Sequence, residues 1–124
     1  MKIIKGDIME SDMPVIVYLS RGKAAEVLYR EHPAIYNWLF PKNSFPPGSI
    51  LISARPDKIH VILFAEDEYG GIRSADLYQC FNEFKEYIEI AAIDESEIGI
   101  SADLIKTIKE RDYIKEWRKR YVSY

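Results

Sequence analysis

The sequence predicts an α/β fold in which helices cover both faces of a mixed, mainly parallel sheet, giving a three-layer α/β/α sandwich. Val15–Leu19 is apolar at every position, which suits a central strand covered on both faces. Short apolar runs alternate with longer segments of helical periodicity, as in βαβ units. Arg55–Lys58 places a proline turn between two strand-like runs, which favours a hairpin. We therefore expect one domain over residues 1–124.

Apolar periodicity and breaker residues predict the remaining elements. The predicted strands are Ile3–Ile4, Val15–Leu19, Ser49–Ala54, Ile59–Phe64 and Ile98–Ile100. The predicted helices run from Lys23 to about Glu31, from Pro33 through Leu39, from an N-cap at Ser74 through Ile88, and from Ser101 or Asp103 towards Tyr121. The apolar face of the third helix is expected to consist of Leu77, Phe81, Phe84 and Ile88, with Cys80 beside it.

Composition limits the class of protein. A chain of 124 residues that is 48% hydrophobic is long enough for one core. A net charge of −3 argues against general neutralisation of nucleic-acid phosphates, so a nucleic-acid partner is not expected. The single cysteine, Cys80, permits no internal disulfide, and the first residues lack a secretory apolar region, so we predict a cytoplasmic protein. No apolar run reaches the roughly 18 residues of a membrane span, so no membrane association is expected.

The opening KIIKGDI, followed by VIVYLS, resembles the start of a macro domain, the family that binds ADP-ribose. The resemblance is to the short deacylating and phage-encoded branch, and later pieces agree with it in order: YREHPAIYNWL, PPGSILIS, and KIHVILFAEDEYGGIRSADLYQCFNEFKEYI. The resemblance implies a macro-like sandwich with ADP-ribose or a related adenine nucleotide as its ligand.

The chain departs from the family in its loops. The Gly-rich loop around the distal ribose is reduced to Ser20, Arg21 and Gly22. The second Gly-rich loop, expected after Ile98–Ile100, is replaced by helical sequence. Ala65 and Glu66 stand where the branch carries its catalytic lysine. We therefore expect no catalytic residue and no cofactor.

The best candidate ligand residues lie after the first strand. By the resemblance, Asp7 accepts a hydrogen bond from the adenine amino group, and the backbone N–H of Ile8 assists. The alternative is that Gly6 and Asp7 form a turn in which the Asp7 carboxylate satisfies nearby backbone N–H groups.

Two further segments are candidates for the rim of the site. Ser20, Gly22 and Lys23 can form a reduced anion site, because backbone N–H groups converge at a helix start; the alternative is an ordinary strand-to-helix junction. Tyr69, Gly70 and Gly71 resemble a loop that borders the substrate. Tyr69 is expected either to stack on a base or ribose or to cover the sheet edge.

The remaining chemical groups are interpreted as structural. Glu66, Asp67 and Glu68 could hold a hard cation, but no second carboxylate cluster has ligand spacing, so a solvated acidic loop is favoured. His60 is a strand residue isolated from any nucleophile. Cys80 lies on an apolar helix face, where an inert buried thiol is the common case.

Two hypotheses for function follow. The first is a non-catalytic macro-like module that binds ADP-ribose or a related adenine nucleotide. The second is a degenerate macro scaffold used as a protein-interaction domain, such as a viral inhibitor of a host factor. The aromatic content of 13%, with nine tyrosines, favours the second slightly. An active deacylase requires a nucleophile that we do not find, and it would be revived if Lys23 or Glu66 pointed into a common cleft.

Overall fold

The computed structural model describes residues 1–21, 23–31, 33–34, 46–66 and 71–109, without the side chains at 23, 24, 27, 28 and 107–109. In chain order the elements are β1 (Lys2–Ile4), a first 3-10 helix (Ile8–Glu10), β2 (Val15–Leu19), α1 (Lys23–Glu31), β3 (Ser49–Ala54), β4 (Ile59–Phe64), α2 (Ser74–Ile90), a second 3-10 helix (Glu95–Glu97), β5 (Ile98–Ser101) and α3 (Ala102–Lys109). The predicted helix beyond Pro33, the loop to Phe45 and the end of the last helix lie outside the described residues.

The five strands form one sheet in the order β1-β5-β2-β4-β3. Strand β2 pairs in parallel with β4 on one side and with β5 on the other, and β5 pairs in parallel with β1. The hairpin β3–β4 is antiparallel, with Ser49 opposite Phe64 and Ala54 opposite Ile59. This arrangement confirms the predicted α/β class with a mixed, mainly parallel sheet. A specifically macro-like three-layer sandwich remains a prediction.

Strand β2 is the centre of the sheet because both of its faces are covered. All five of its residues are buried. Val15, Val17 and Leu19 face a cluster that includes side chains of α2 and α3. Ile16 and Tyr18 alternate to the opposite face, where the cluster includes Ile8, Ala25, Ile62 and Phe64. Helix α1 and the first 3-10 helix therefore lie on one face of the sheet, and α2 and α3 on the other.

Helix α2 supplies the largest part of one core. Leu77, Cys80, Phe81, Phe84 and Ile88 recur at helical spacing, and all five are buried as predicted. Phe81 and Phe84 are fully buried, so truncating either to alanine is expected to cost roughly 3–5 kcal/mol. The predicted N-cap is wrong by one residue. Ser74 is the first helical residue, and Arg73 holds the extended capping conformation (φ −86°, ψ 129°) without a side-chain cap bond, since arginine carries no acceptor.

The hairpin turn is tied to the start of the chain. The backbone N–H of Arg55 donates to the carbonyl of Lys58 at 2.9 Å, which closes the turn. The Lys58 ammonium then donates to the carbonyl of Met9 at 2.9 Å and to the carbonyl of Ser11. This fixes the connection between β1 and β2 against the amino end of β4.

Tyr18 and His60 form a buried polar pair on the adjacent strands β2 and β4. The Tyr18 hydroxyl lies 2.9 Å from Nδ1 of His60, and the two rings meet edge to face. Burial raises the pKa of Tyr18, so the phenol stays protonated. Burial, and then the nearby Arg55 charge, lower the pKa of His60 to about 4. The pair is therefore neutral at neutral pH.

None of the described helices is both long enough and apolar enough to cross a membrane.

The stability of the fold is expected to fall as pH decreases below the ordinary histidine pKa. The pKa of His60 is lowered from 6.5 to about 4, so in that interval the unfolded chain binds a proton that the native state does not, and stability is lost as pH falls. The expected loss is on the order of 1–2 kcal/mol, less than the full shift implies, because His60 lines a pocket through which solvent can screen the ring.

Urea unfolding of the wild type and of His60→Asn between pH 4 and pH 7 measures this contribution. Asparagine keeps an acceptor near the position of Nδ1 but does not titrate. As pH falls, the unfolding free energy of the wild type should decrease by more than that of His60→Asn. A difference that is constant with pH would contradict the assignment.

Candidate functional site

The carboxyl ends of four strands meet at one edge of the sheet, because β1, β5, β2 and β4 are mutually parallel. Strands β2 and β4 are neighbours at this edge. The chain leaves β2 for α1 on one face and leaves β4 for α2 on the other. Open α/β sheets bind ligands outside the carboxyl ends of strands at such a switch in direction. The candidate site is therefore the region beyond Leu19 and Phe64, which we call the carboxyl-edge site.

Glu66 is the central polar residue of the carboxyl-edge site. Its Oε1 accepts a hydrogen bond of 2.8 Å from the backbone N–H of Arg21, just before α1 begins. The Ser20 hydroxyl also hydrogen-bonds the carboxylate. Burial raises the pKa of Glu66, and these hydrogen bonds offset only part of that effect. The Glu66 carboxyl group thus lies beside the turn that leads into α1.

The position of Glu66 corrects the prediction of a solvated acidic loop. Glu66 is half-buried, and it forms an isolated antiparallel bridge with Ile72. This bridge returns the loop to the sheet and turns the carboxylate towards β2, which a count of acidic residues does not reveal. The acidic neighbours Asp67 and Glu68 lie outside the described residues.

Ser20 is held firmly at the end of β2. Its N–H donates to the carbonyl of Leu63 at 3.0 Å, and its carbonyl accepts a 2.6 Å bond from the Tyr29 hydroxyl. Ser20 is only 2% exposed. Its hydroxyl therefore orients the Glu66 carboxylate and is not presented to a ligand as a free group.

Asp7 acts as a structural cap. Its Oδ1 accepts a 2.9 Å bond from the backbone N–H of Met9 and caps the first 3-10 helix. A structural role for Asp7 is the alternative that the sequence left open. The capping bond uses one oxygen of the Asp7 carboxylate, and the side chain is exposed. The Ile8 side chain is fully buried, so Ile8 can meet a ligand only through its backbone. Within the described part of the chain, no hydrogen bond joins Asp7 to Ser20 or Glu66.

The other predicted site residues are described only in part. Lys23 is the first residue of α1, and its side chain lies outside the described atoms. Gly71 is exposed and directly precedes Ile72, the bridge partner of Glu66. Gly22, Tyr69 and Gly70 lie outside the described residues. The reduced anion site proposed for Ser20, Gly22 and Lys23 is corrected in one respect: the Arg21 N–H beside it is already bonded to Glu66.

Neither a metal site nor a reactive thiol accompanies these groups in the described ranges. There, no cluster of three histidine, cysteine or acidic residues could hold a metal ion. The Cys80 thiol donates to the carbonyl of Ser49 at 3.4 Å, and burial raises the pKa of Cys80 to about 12. Cys80 is therefore an inert core residue, as the sequence predicts.

The sequence prediction did not include Glu66 among the ligand-binding residues. The signal that could have identified it is its place two residues after a buried parallel strand, where the carboxyl edge begins.

Comparison of the chain with protein-family models, with curated proteins and with solved structures gives no match. The class that the observations define is therefore an α/β protein with a half-buried carboxylate at a switch point, and the macro resemblance stays a prediction.

Replacing Glu66 by glutamine is expected to improve stability progressively as pH rises. The pKa of Glu66 is higher in the native state than in the unfolded chain, so the native state binds the proton more tightly. The stability of the wild type therefore falls as pH rises from below the ordinary glutamate pKa to above the pKa of Glu66 in the native state. Glutamine keeps an acceptor for the Arg21 N–H and carries no charge.

Urea unfolding of wild type and Glu66→Gln at acidic and neutral pH tests this. The control is Glu95→Gln, which removes an exposed carboxylate from the second 3-10 helix. Between acidic and neutral pH, the unfolding free energy of Glu66→Gln relative to the wild type should increase by more than that of Glu95→Gln. Equal pH profiles for the two variants would show that Glu66 is solvated.

Proposed function

We propose that this protein is a non-catalytic module that binds ADP-ribose or a related adenine nucleotide at the carboxyl-edge site. The observation that carries the proposal is the switch point between β2 and β4, with α1 and α2 on opposite faces of the sheet. Nucleotides bind open α/β sheets at this place because helix starts and strand ends expose backbone N–H groups there.

Asp7 is the proposed acceptor for the adenine amino group. Its side chain is exposed, and the capping bond from Met9 uses Oδ1. A carboxylate offers about four lone-pair positions, so a second donor can be accommodated. The Met9 bond also holds the carboxylate in one orientation, which reduces the entropy lost when a ligand binds.

Glu66 determines which part of the ligand lies near the start of α1. A carboxylate accepts hydrogen bonds from hydroxyl groups and repels phosphates. Oε1 of Glu66 accepts from the Arg21 N–H, and the remaining acceptor positions of the carboxylate suit the hydroxyl groups of a ribose. The phosphates of the ligand are therefore expected to lie away from Glu66.

The proposal does not include catalysis. A carboxyl group with a raised pKa beside a crevice is a candidate general base, but a base requires a nucleophile within reach. The described hydroxyl that bonds Glu66 belongs to Ser20, whose side chain is buried. Glu66 is therefore assigned to binding.

A protein-interaction domain is the second candidate. The exposed large hydrophobic residues of the described chain are Tyr78 and Ile90, with exposures of 43% and 86%. Both belong to α2 but lie about 18 Å apart along the helix axis. Single exposed apolar residues are common on monomers, so these two do not favour a protein partner over the nucleotide.

Calorimetric titration with ADP-ribose tests the proposal through Asp7. Binding is expected in the micromolar range, or about −8 kcal/mol. Asp7→Asn keeps an oxygen to cap Met9 but replaces the other oxygen with a donor, so the affinity should fall at least tenfold while the fold is retained. Asp7→Ala should lose as much affinity. The control Asp12→Asn, an exposed residue of the same connection, should bind as the wild type does.

Glu66→Gln provides a second test with the opposite sign. Removing the negative charge should strengthen ADP-ribose binding severalfold and leave the affinity for uncharged adenosine unchanged or weaker. Absence of heat with millimolar ADP-ribose, from protein shown to be folded, would overturn the proposal. Equal binding by wild type and Asp7→Asn would exclude the assigned adenine contact.

A further inference from the structure

A second pocket lies at the opposite, amino edge of the sheet. It has a volume of about 240 Å³, and its wall comes from the β3–β4 turn, the start of β4, the end of α1 and the first 3-10 helix. The lining residues used below are Met9, Glu31, Arg55, Asp57, Lys58 and His60. The volume is under the range of about 300–1,000 Å³ typical for drug-sized ligands, so the pocket suits a small molecule.

Arg55, which lines this pocket, carries an unsatisfied donor. Its Nε is buried and has no hydrogen-bond partner among the described residues. A buried N–H without an acceptor is rare in native proteins and destabilising. Because the Nε–H is buried, a ligand in the pocket can bond it only after the guanidinium rotates. A carboxylate could then accept from the side-on fork of Nε–H and Nη–H, which is the preferred geometry of arginine pairs.

His60 supplies a second donor at the same wall. The Tyr18 hydroxyl is buried, and the polar atom that it contacts is His60 Nδ1, 2.9 Å away. A buried hydroxyl needs an acceptor for its proton, so we assign Tyr18 as the donor and Nδ1 as the acceptor. When Tyr18 donates to Nδ1, neutral His60 must carry its proton on Nε2. The pKa of His60 is lowered to about 4, so this neutral tautomer is the relevant form at neutral pH.

The charges around the pocket select the class of anion. Lys58 contributes positive charge, but its ammonium is already bonded to the carbonyls of Met9 and Ser11. Glu31 and Asp57 contribute negative charge to the wall. The two acids therefore balance the charges of Arg55 and Lys58, and a phosphate dianion, which is more costly to desolvate than a monoanion, is disfavoured relative to a carboxylate.

We propose that the amino-edge pocket binds a small carboxylate monoanion, held by the Nε–H and Nη–H of Arg55 and by the ring N–H of His60. This site is separate from the carboxyl-edge site, and it does not depend on the nucleotide proposal.

Nuclear magnetic resonance of the full chain, titrated with acetate at neutral pH and constant ionic strength, tests the pocket. The Arg55 Nε–H and His60 ring signals should shift together and saturate with a millimolar dissociation constant. Phosphate, at a pH where it is mainly the dianion, should bind at least fivefold more weakly. Shifts that stay linear without saturation, or phosphate binding as tight as acetate binding, would overturn the proposal.

Matched variants separate hydrogen bonding from charge. Arg55→Lys keeps the positive charge but lacks the planar fork, so acetate binding should weaken at least fivefold. Arg73→Lys, at the exposed residue before α2, should leave it unchanged. Asp57→Asn removes a repelling charge and should tighten acetate binding severalfold. This variant provides the test if Arg55→Lys fails to fold. Equal acetate affinity in the wild type and either pocket variant would contradict the proposal.

Discussion

The burial of strand β2 on both faces is the constraint on which the rest of this structure depends. Val15–Leu19 cannot face water on either side, so helices must cover both faces of the sheet. Its backbone N–H and C=O groups must also pair on both edges, which places β4 on one side and β5 on the other. Because adjacent strands lead into helices on opposite faces, the chain changes direction between β2 and β4 at the carboxyl edge. The candidate site is thus a consequence of how the core is covered.

Glu66 shows how a chain can occupy its own anion position. The turn between β2 and α1 offers the backbone N–H of Arg21, which would suit a phosphate, and the carboxylate of Glu66, just after β4, accepts from it. The interaction tethers the ends of β2 and β4. It also makes the edge less favourable for a phosphate and more favourable for hydroxyl donors. One side chain therefore affects both the stability of the edge and the chemistry that it can accept.

Much of the fold could be predicted from local patterns. Three features depend mainly on neighbours in sequence: the burial of Val15–Leu19 on both faces, the proline turn at Arg55–Lys58 and the apolar stripe of α2. The structure confirms all three. The insertion of β5 between β1 and β2 was not predicted, because parallel pairing joins segments that are distant in sequence.

The same limit applies to the two sites. Glu66 resembled a solvated residue because its burial depends on a bridge to Ile72 across a loop. The amino-edge pocket brings together Met9, Glu31, Arg55 and His60 from four segments, and no motif in the sequence connects them. Asp7 was recognised by its motif, but the motif does not distinguish a ligand contact from the cap that the structure describes.

The buried thiol between α2 and β3 has one further consequence. Cys80 is the single cysteine of the chain, and in the native state its sulfur is covered and protonated. A thiol reagent can therefore reach it only when α2 separates from the hairpin or when the whole domain unfolds. The rate of alkylation under native conditions becomes a direct measure of how often that core opens, and it requires no engineered label.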